Sequence, residues 1–288
     1  MPPTSTPTER RSREPIGDQL RDWRQRRRVS QLALATSAGV SQRHVSFVES
    51  GRAMPSRELV LALAKQLEVP FRERNELLLA AGFAPIYRER PLTAPELAPA
   101  RAAIELVLGA YEPWPAIAVD RHWSLVMSNR AVAPLLARVH PRLLEPPLNV
   151  LRVSLHPDGL APHIVNLAEW REHVLARLET QVRLSADPVL AALLEELRGM
   201  TPPARAASSE RSGPNERATS NERSAAREPA KILAGVAVPF QLDSDRGRLS
   251  FLSTTTVFGT PIDITLSELA IEAFLPADAA TAAALRAG

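Results

Sequence analysis

From Gln31 to Gly51 the chain reads QLALATSAGVSQRHVSFVESG, and its apolar positions fall into two short runs of helical spacing that meet at a Gly-Val corner. Leu32, Leu34 and Ala35 give the first run an inward stripe, Gly39 is free to take a positive φ, and Val40 plugs the corner from below. Ser41 stands where a second helix needs its cap. Val45 and Val48 then face inward, which leaves Gln42, Arg43, His44 and Ser46 on the exposed first turns. Gln and Arg can each make two hydrogen bonds to a base edge, so two helices joined in this way suit an element that reads the major groove.

Helical spacing continues downstream. Glu58 to Leu67 sets Leu59, Val60, Leu63 and Leu67 on one side, and Arg72 to Ala81 sets Leu77, Leu78 and Leu79 against the same bundle before Gly82 stops it. Residues 83–99 contain four prolines and no sustained period, which predicts a connector. The pattern then changes. A helix over Pro99 to Leu108 precedes PAIAVD and WSLVMS, two short strands about a turn at Asp120-Arg121-His122, and Asn129 starts a further helix. Helical spacing returns through Leu167, Trp170, Val174, Leu178 and Val182, and again in DPVLAALLEELRGM, where Asp187 is the expected N-cap and Pro188 the first helical residue. Residues 201–230 have too few large apolar side chains to offset their ordering entropy, so a mobile insert is expected there. Beyond it, β-branched and aromatic residues flank SDRG, a hairpin signal, and a short strand follows in TPIDITLSELAIEAFLPAD. Two strands before the helices and about three after them predict one sheet that is discontinuous in sequence.

The run from Leu20 to Leu79 resembles the DNA-binding domain of the xenobiotic-response-element and phage-repressor family, a bundle of five short helices. The residues that carry this are Gln31 opening the second helix, the Gly-Val corner, Ser41, Glu49, Gly51, and Pro55-Ser56 opening a fourth. The resemblance implies that Gln31 holds a phosphate and that Gln42 and Arg43 read bases, with Ser41, His44, Ser46 and Arg52 as further DNA-contact candidates. It also implies an ion pair between Arg24 and Glu49. Phe47, where many repressors have a polar residue, either touches a thymine methyl or only packs. Further on, the strand-turn-strand from Pro115 to Ser128 with Asn129, the segment NVLRVSLHPDGLAPHIVNLAEWREHV, and the end TTTVFGTPIDITLSELAIEAFLPAD resemble the MmyB-like bacterial transcription regulators. That family implies a PAS-like domain that senses a small apolar molecule such as a fatty acid and thereby alters DNA binding.

The expected class is therefore α+β, a five-helix repressor-like helix-turn-helix domain followed by a PAS-like sheet with helices. The expected boundaries are a leader at 1–15, the DNA-binding domain at 16–82, a linker at 83–98, the ligand-binding domain at 99–278 with its insert, and a tail at 279–288. Trp123, Met127, Trp170, Val174 and Phe251 either line a ligand pocket or form ordinary core, and Asn129, Arg152 and His156 are the polar candidates for a ligand head group.

Charge and composition sharpen the picture. The first 90 residues carry a net charge of +6 and the remainder −3, so the positive charge lies where phosphate attraction would need it. Arginine supplies nearly all of it, and Arg10, Arg11 and Arg13 form either a DNA-touching arm or a disordered leader. There is no cysteine, which excludes disulfides and thiolate chemistry. No apolar run has the length of a membrane span and the start lacks a signal-peptide core, so a soluble cytoplasmic protein is expected. His156, Asp158, His163 and His173 offer superficial metal or acid-base candidates, but HPDG is a turn sequence and no catalytic motif accompanies it. Neither a metal, a cofactor nor an enzymatic activity is expected. The partners expected are double-stranded DNA, a small apolar ligand and a second copy of the chain. The alternative is a DNA-binding protein whose second domain only dimerises or binds a protein partner.

Overall fold

A computed structural model describes residues 14–201, 238–259 and 263–287. The expected leader and insert fall almost wholly outside these. The described residues form two units. One runs through Pro91 and takes in Arg183–Pro188 and Gly259–Ser267, and the other comprises Leu92–Val182, Val189–Phe258 and the residues from Glu268 onward.

The first unit contains the five expected helices, α1 (Ile16–Arg26), α2 (Gln31–Ala38), α3 (Gln42–Glu49), α4 (Arg57–Gln66) and α5 (Phe71–Ala80). Serines start three of them. The hydroxyls of Ser30, Ser41 and Ser56 accept from the backbone N–H groups of Ala33, His44 and Leu59 at 3.1, 3.2 and 3.2 Å, each satisfying a donor that the helix leaves open. Gly39 turns the α2–α3 corner at φ 70°. Leu20, Trp23, Leu34, Val45, Val48, Leu63, Leu67, Leu77 and Leu78 fill the core, and each such burial contributes about 1.5–3 kcal/mol. A side chain at Gly17 would bring its Cβ to 2.5 Å from the Val48 carbonyl oxygen, so the α1 backbone lies directly against the end of α3. Two expected core residues are outside it. Leu32 is exposed because two positions along a helix turn it to the far side of α2 from the buried Leu34, and Leu79 is exposed because Leu77 and Leu78 already occupy the inward side of α5.

The stretch after α5 is less free than its prolines suggest. The Asn75 carboxamide oxygen accepts from the N–H groups of Ile86 and Tyr87 while its nitrogen donates to the Tyr87 carbonyl at 2.7 Å, and the Tyr87 ring stacks on Phe71 at 4.3 Å. Arg90 pairs with the fully buried Asp263 at 2.9 Å, next to the one-turn helix α10 (Ile264–Ser267). Side-chain capture of a connector leaves no periodic signal, so the sequence pattern misses it.

The second unit is built from α6 (Ala98–Ala110), β1 (Ala116–Val119), β2 (Leu125–Ser128), α7 (Val150–Leu155), α8 (Leu167–Ser185), α9 (Pro188–Gly199), β3 (Phe240–Ser244), β4 (Gly247–Val257), β5 (Ala270–Pro276) and α11 (Ala279–Arg286). The strands form one antiparallel sheet in the order β2-β1-β5-β4-β3, so the expected two early and three late strands do share a sheet. The α+β class is as expected. The Asp120 carboxylate closes the β1–β2 turn by accepting from His122 and Ser124 N–H groups at 2.8 Å each. The helix expected at Asn129 is a 3-10 segment, Arg130–Leu136, because Pro134 removes a donor from its middle. The segment expected as a C-terminal tail is instead α11, capped by Asp278 and tied to β4 where the Thr281 hydroxyl accepts from Ser250 N–H at 2.9 Å.

The register of β2 against β1 shifts once along its length. Ala118 pairs with Met127, but Val119 pairs with Leu125, which leaves Val126 as an extra residue. Such a bulge reverses which face the next side chains take. Leu125 therefore falls on the face of Val119, and Met127 on the face of Ala118.

Candidate nucleic-acid interface and apolar cavity

The α2–α3 corner presents its polar residues as the sequence predicts. Ser41, Gln42, Arg43 and Arg52 are exposed, and Gln31, His44 and Ser46 half-buried. Phe47 lies half-buried among them. The Arg43 and Arg52 guanidinium carbons stand 5.1 and 5.9 Å from its ring centre, so the ring serves as a platform that restrains two cations of high rotamer entropy. Among the described residues neither arginine has a carboxylate partner, which leaves their N–H edges free for phosphate or guanine.

Behind this face lies a closed charge cluster. The Arg24 guanidinium grips Glu49 with two hydrogen bonds of 2.6 and 2.8 Å, Gln31 donates to the same carboxylate at 2.8 Å, and the Arg21 nitrogen lies 3.8 Å away. The Glu49 side chain is 2% exposed and that of Arg24 13%, so the expected pair is a buried one. Burial alone would raise the Glu49 pKa, but the hydrogen bonds from Arg24 and Gln31 with the charges of Arg24 and Arg21 prevail and lower it. Gln31 is thus partly committed inside the protein, with one N–H still available to a phosphate.

The second unit contains a cavity of about 110 Å³ between the sheet and its helices, smaller than the roughly 300–1,000 Å³ of typical ligand pockets. Bulky rings fill much of the space. Trp170 packs against Phe240 at 4.8 Å, and Phe240 against Phe274 at 5.8 Å. Half-buried Leu125, Leu135, Leu136 and Leu148 border the cavity on its more exposed side. Three of the expected wall residues, Trp123, Trp170 and Val174, do line it.

The other five do not. Met127 is turned to the opposite face by the β2 bulge, and Phe251 is fully buried behind Phe240 and Phe274. Asn129 is spent on backbone, accepting from Ala116 N–H at 3.1 Å and donating to the Leu108 and Trp114 carbonyls at 3.1 and 2.8 Å. Arg152 forms a bidentate pair with Glu196 at 2.6 and 2.7 Å. His156 accepts from Asp158 N–H at 2.9 Å within the HPDG turn, in keeping with the turn reading of that motif.

The polar residues that line the cavity, His173, Arg177, Ser154, Ser253 and Glu272, are others. Arg177 donates to both Glu272 oxygens at 2.6 and 3.1 Å and stacks on the Trp123 ring at 4.5 Å. Ser253 and Thr255 hydroxyls complete the Glu272 shell at 3.2 and 2.8 Å. The indole N–H groups of Trp123 and Trp170 are taken by Gln181 and Ser154, both at 2.8 Å. His173 packs beside Trp170, and burial together with the Arg177 charge lowers its pKa against the pull of Glu272. A signal for these was present in the sequence. His173 and Arg177 continue the inward stripe of Trp170 and Val174 at helical spacing, and Glu272 interrupts an apolar strand.

Among the described residues no helix is long and apolar enough to cross a membrane, and no group of three or more His, Asp or Glu could hold a metal ion. The family model described as MmyB-like transcription regulator ligand binding domain matches residues 100–287, and the one described as Helix-turn-helix domain matches residues 15–77. No curated protein matches the chain.

Proposed function

This chain belongs to the MmyB-like transcription regulators, and we propose that it binds operator DNA as a homodimer in the cytoplasm, with affinity set by a small apolar molecule in its second unit. Residues 16–82 serve as the DNA-binding module, and the chain from 99 through α11 as the ligand-binding module. The observation that carries the DNA half is the pair of uncompensated arginines, Arg43 and Arg52, stacked on Phe47 beside exposed Gln42. Gln42 and Arg43 read bases, whereas Gln31 holds the backbone. The apolar walls of the cavity support the ligand half, and an alkyl chain, such as that of a fatty acid, suits them.

Selection from a random duplex library with the full chain would supply the operator. On that site Gln42→Ala or Arg43→Ala should cost about 1–3 kcal/mol and relax specificity at one position, while Gln31→Ala should weaken all sequences evenly. Equal, sequence-independent losses from all three would refute the assignment. Sedimentation with and without the operator tests the dimer, and mass spectrometry of solvent extracts from the purified chain tests the ligand. A ligand alters DNA affinity only through preference for one of two conformations, so operator titrations should follow each compound found.

The modest cavity volume favours a second reading, in which the second unit only dimerises or binds a protein. An extract empty of small molecules, with no thermal stabilisation by any apolar compound, would select it.

A further inference from the structure

The cavity is apolar along most of its wall and polar at one corner, where Arg177, Glu272, Ser253 and His173 join the lining. The head group that this corner can recognise is limited by the hydrogen bonds its residues have already made, given the ligand-sensing reading above. An arginine at the end of an apolar cavity would ordinarily suit a carboxylate. Here the position is taken. Glu272, 3% exposed, accepts two N–H groups of Arg177, and the Ser253 and Thr255 hydroxyls occupy the same two oxygens. Arg177 also donates to Thr255 Oγ1 at 2.8 Å and lies over Trp123. The pair is neutral in sum. A ligand carboxylate brought to this corner would surrender its hydration without gaining a free counter-charge, and would lie beside Glu272.

His173 has the most capacity left, since the Ser154 hydroxyl, which also lines the cavity, already accepts from the Trp170 indole. It lines the cavity half-buried, its ring rests against Trp170, and among the described residues neither ring nitrogen has a hydrogen bond. Burial, with the Arg177 charge beside it, favours the neutral ring. A neutral imidazole offers one donor and one acceptor. Its complement is a head group that also donates and accepts and carries no charge.

We propose that the cavity takes an aliphatic molecule with a neutral hydroxyl or primary amide head, held at His173 beside the self-compensated Arg177–Glu272 pair, in preference to the carboxylate of the same chain length.

The test uses the full chain, stripped of copurified small molecules, titrated at neutral pH with decanamide, decanol and decanoate. Decanamide and decanol should bind at least about tenfold more tightly than decanoate, as the cost of burying an uncompensated charge requires. Glu272→Gln keeps the size of the side chain but frees the Arg177 charge, and should erase or reverse that preference. His173→Leu keeps a filled wall, removes the head-group partner, and should weaken decanamide about tenfold while leaving decanoate unchanged. Decanoate binding the wild type as tightly as decanamide overturns the proposal, as does an unchanged preference in folded Glu272→Gln. Should Glu272→Gln not fold, His173→Leu decides, since equal losses for both compounds or for neither also overturn it. If none of the three compounds binds the wild type, the ligand-sensing reading falls and this one with it.

Discussion

Glu49 and Glu272 are the same device in two settings. Each is an almost fully buried carboxylate gripped by both arms of an arginine, with further donors on its remaining lone pairs. Glu49 is enclosed by helices and ties the first of them to the third. Glu272 stands on a sheet, with packed protein on one side and a cavity on the other. A buried ion pair therefore does not announce its role by its own geometry. The surroundings of the pair decide whether it locks a fold or sets the polarity of a binding space.

Removing each carboxylate should affect the two units to different degrees. Glu49→Ala would leave the Arg24 charge buried and unpaired, and should destabilise the first unit by about 3–5 kcal/mol in denaturant titrations. A loss under about 1 kcal/mol, typical of exposed pairs, would show that the cluster does not lock the helices. Glu272→Ala should cost less, about 1–3 kcal/mol, because the Arg177 side chain is 32% exposed and can regain water. Equal losses from the two would remove the distinction drawn between them. Single hydrogen-bond deletions sharpen it further. Gln31→Ala and Ser253→Ala should each cost about 0.5–1.5 kcal/mol, since arginine still satisfies the carboxylate in both cases.

Acid should separate the two units by a smaller effect. The folded state holds both the His173 and Glu49 pKa values below their ordinary values of 6.5 and 4.5. In each case the unfolded chain binds the proton first as pH falls, so stability is full above the ordinary value and is lost below it. The second unit should begin to weaken below about pH 6.5 through His173, and the first only below about 4.5 through Glu49. Amide exchange followed at residues of each unit would check the order. Simultaneous loss, or loss from the first unit at higher pH, would contradict it.

The helix-turn-helix was legible almost residue by residue, because its information is local. Ser41, Gly39 and the Val45–Val48 spacing each dictate their own few neighbours, and the Arg24–Glu49 pair came with the family pattern. The sheet was legible as elements, since strand-forming residues and the SDRG turn advertise themselves. The cavity was not. Whether Met127 faces it depends on one unpaired residue in β2, and whether Asn129 is free depends on backbone carbonyls contributed by α6 and the segment before β1. The apolar pattern did not point to Arg177 and Glu272, and it left His173 only as a superficial metal or acid-base candidate, although all three share the stripe or strand of the hydrophobic wall residues. Polar residues on an inward face are rarer and more informative than the apolar ones around them.

The bulge at Val126 is length that the sheet does not count. Removing that single residue would leave Leu125 paired with Val119 and Met127 with Ala118, so each side chain would keep its face and the cavity its border. A one-residue deletion at this point should therefore straighten the strand and leave the cavity wall as it is, in contrast to a one-residue slip of the pairing, which would exchange every side chain between the two faces.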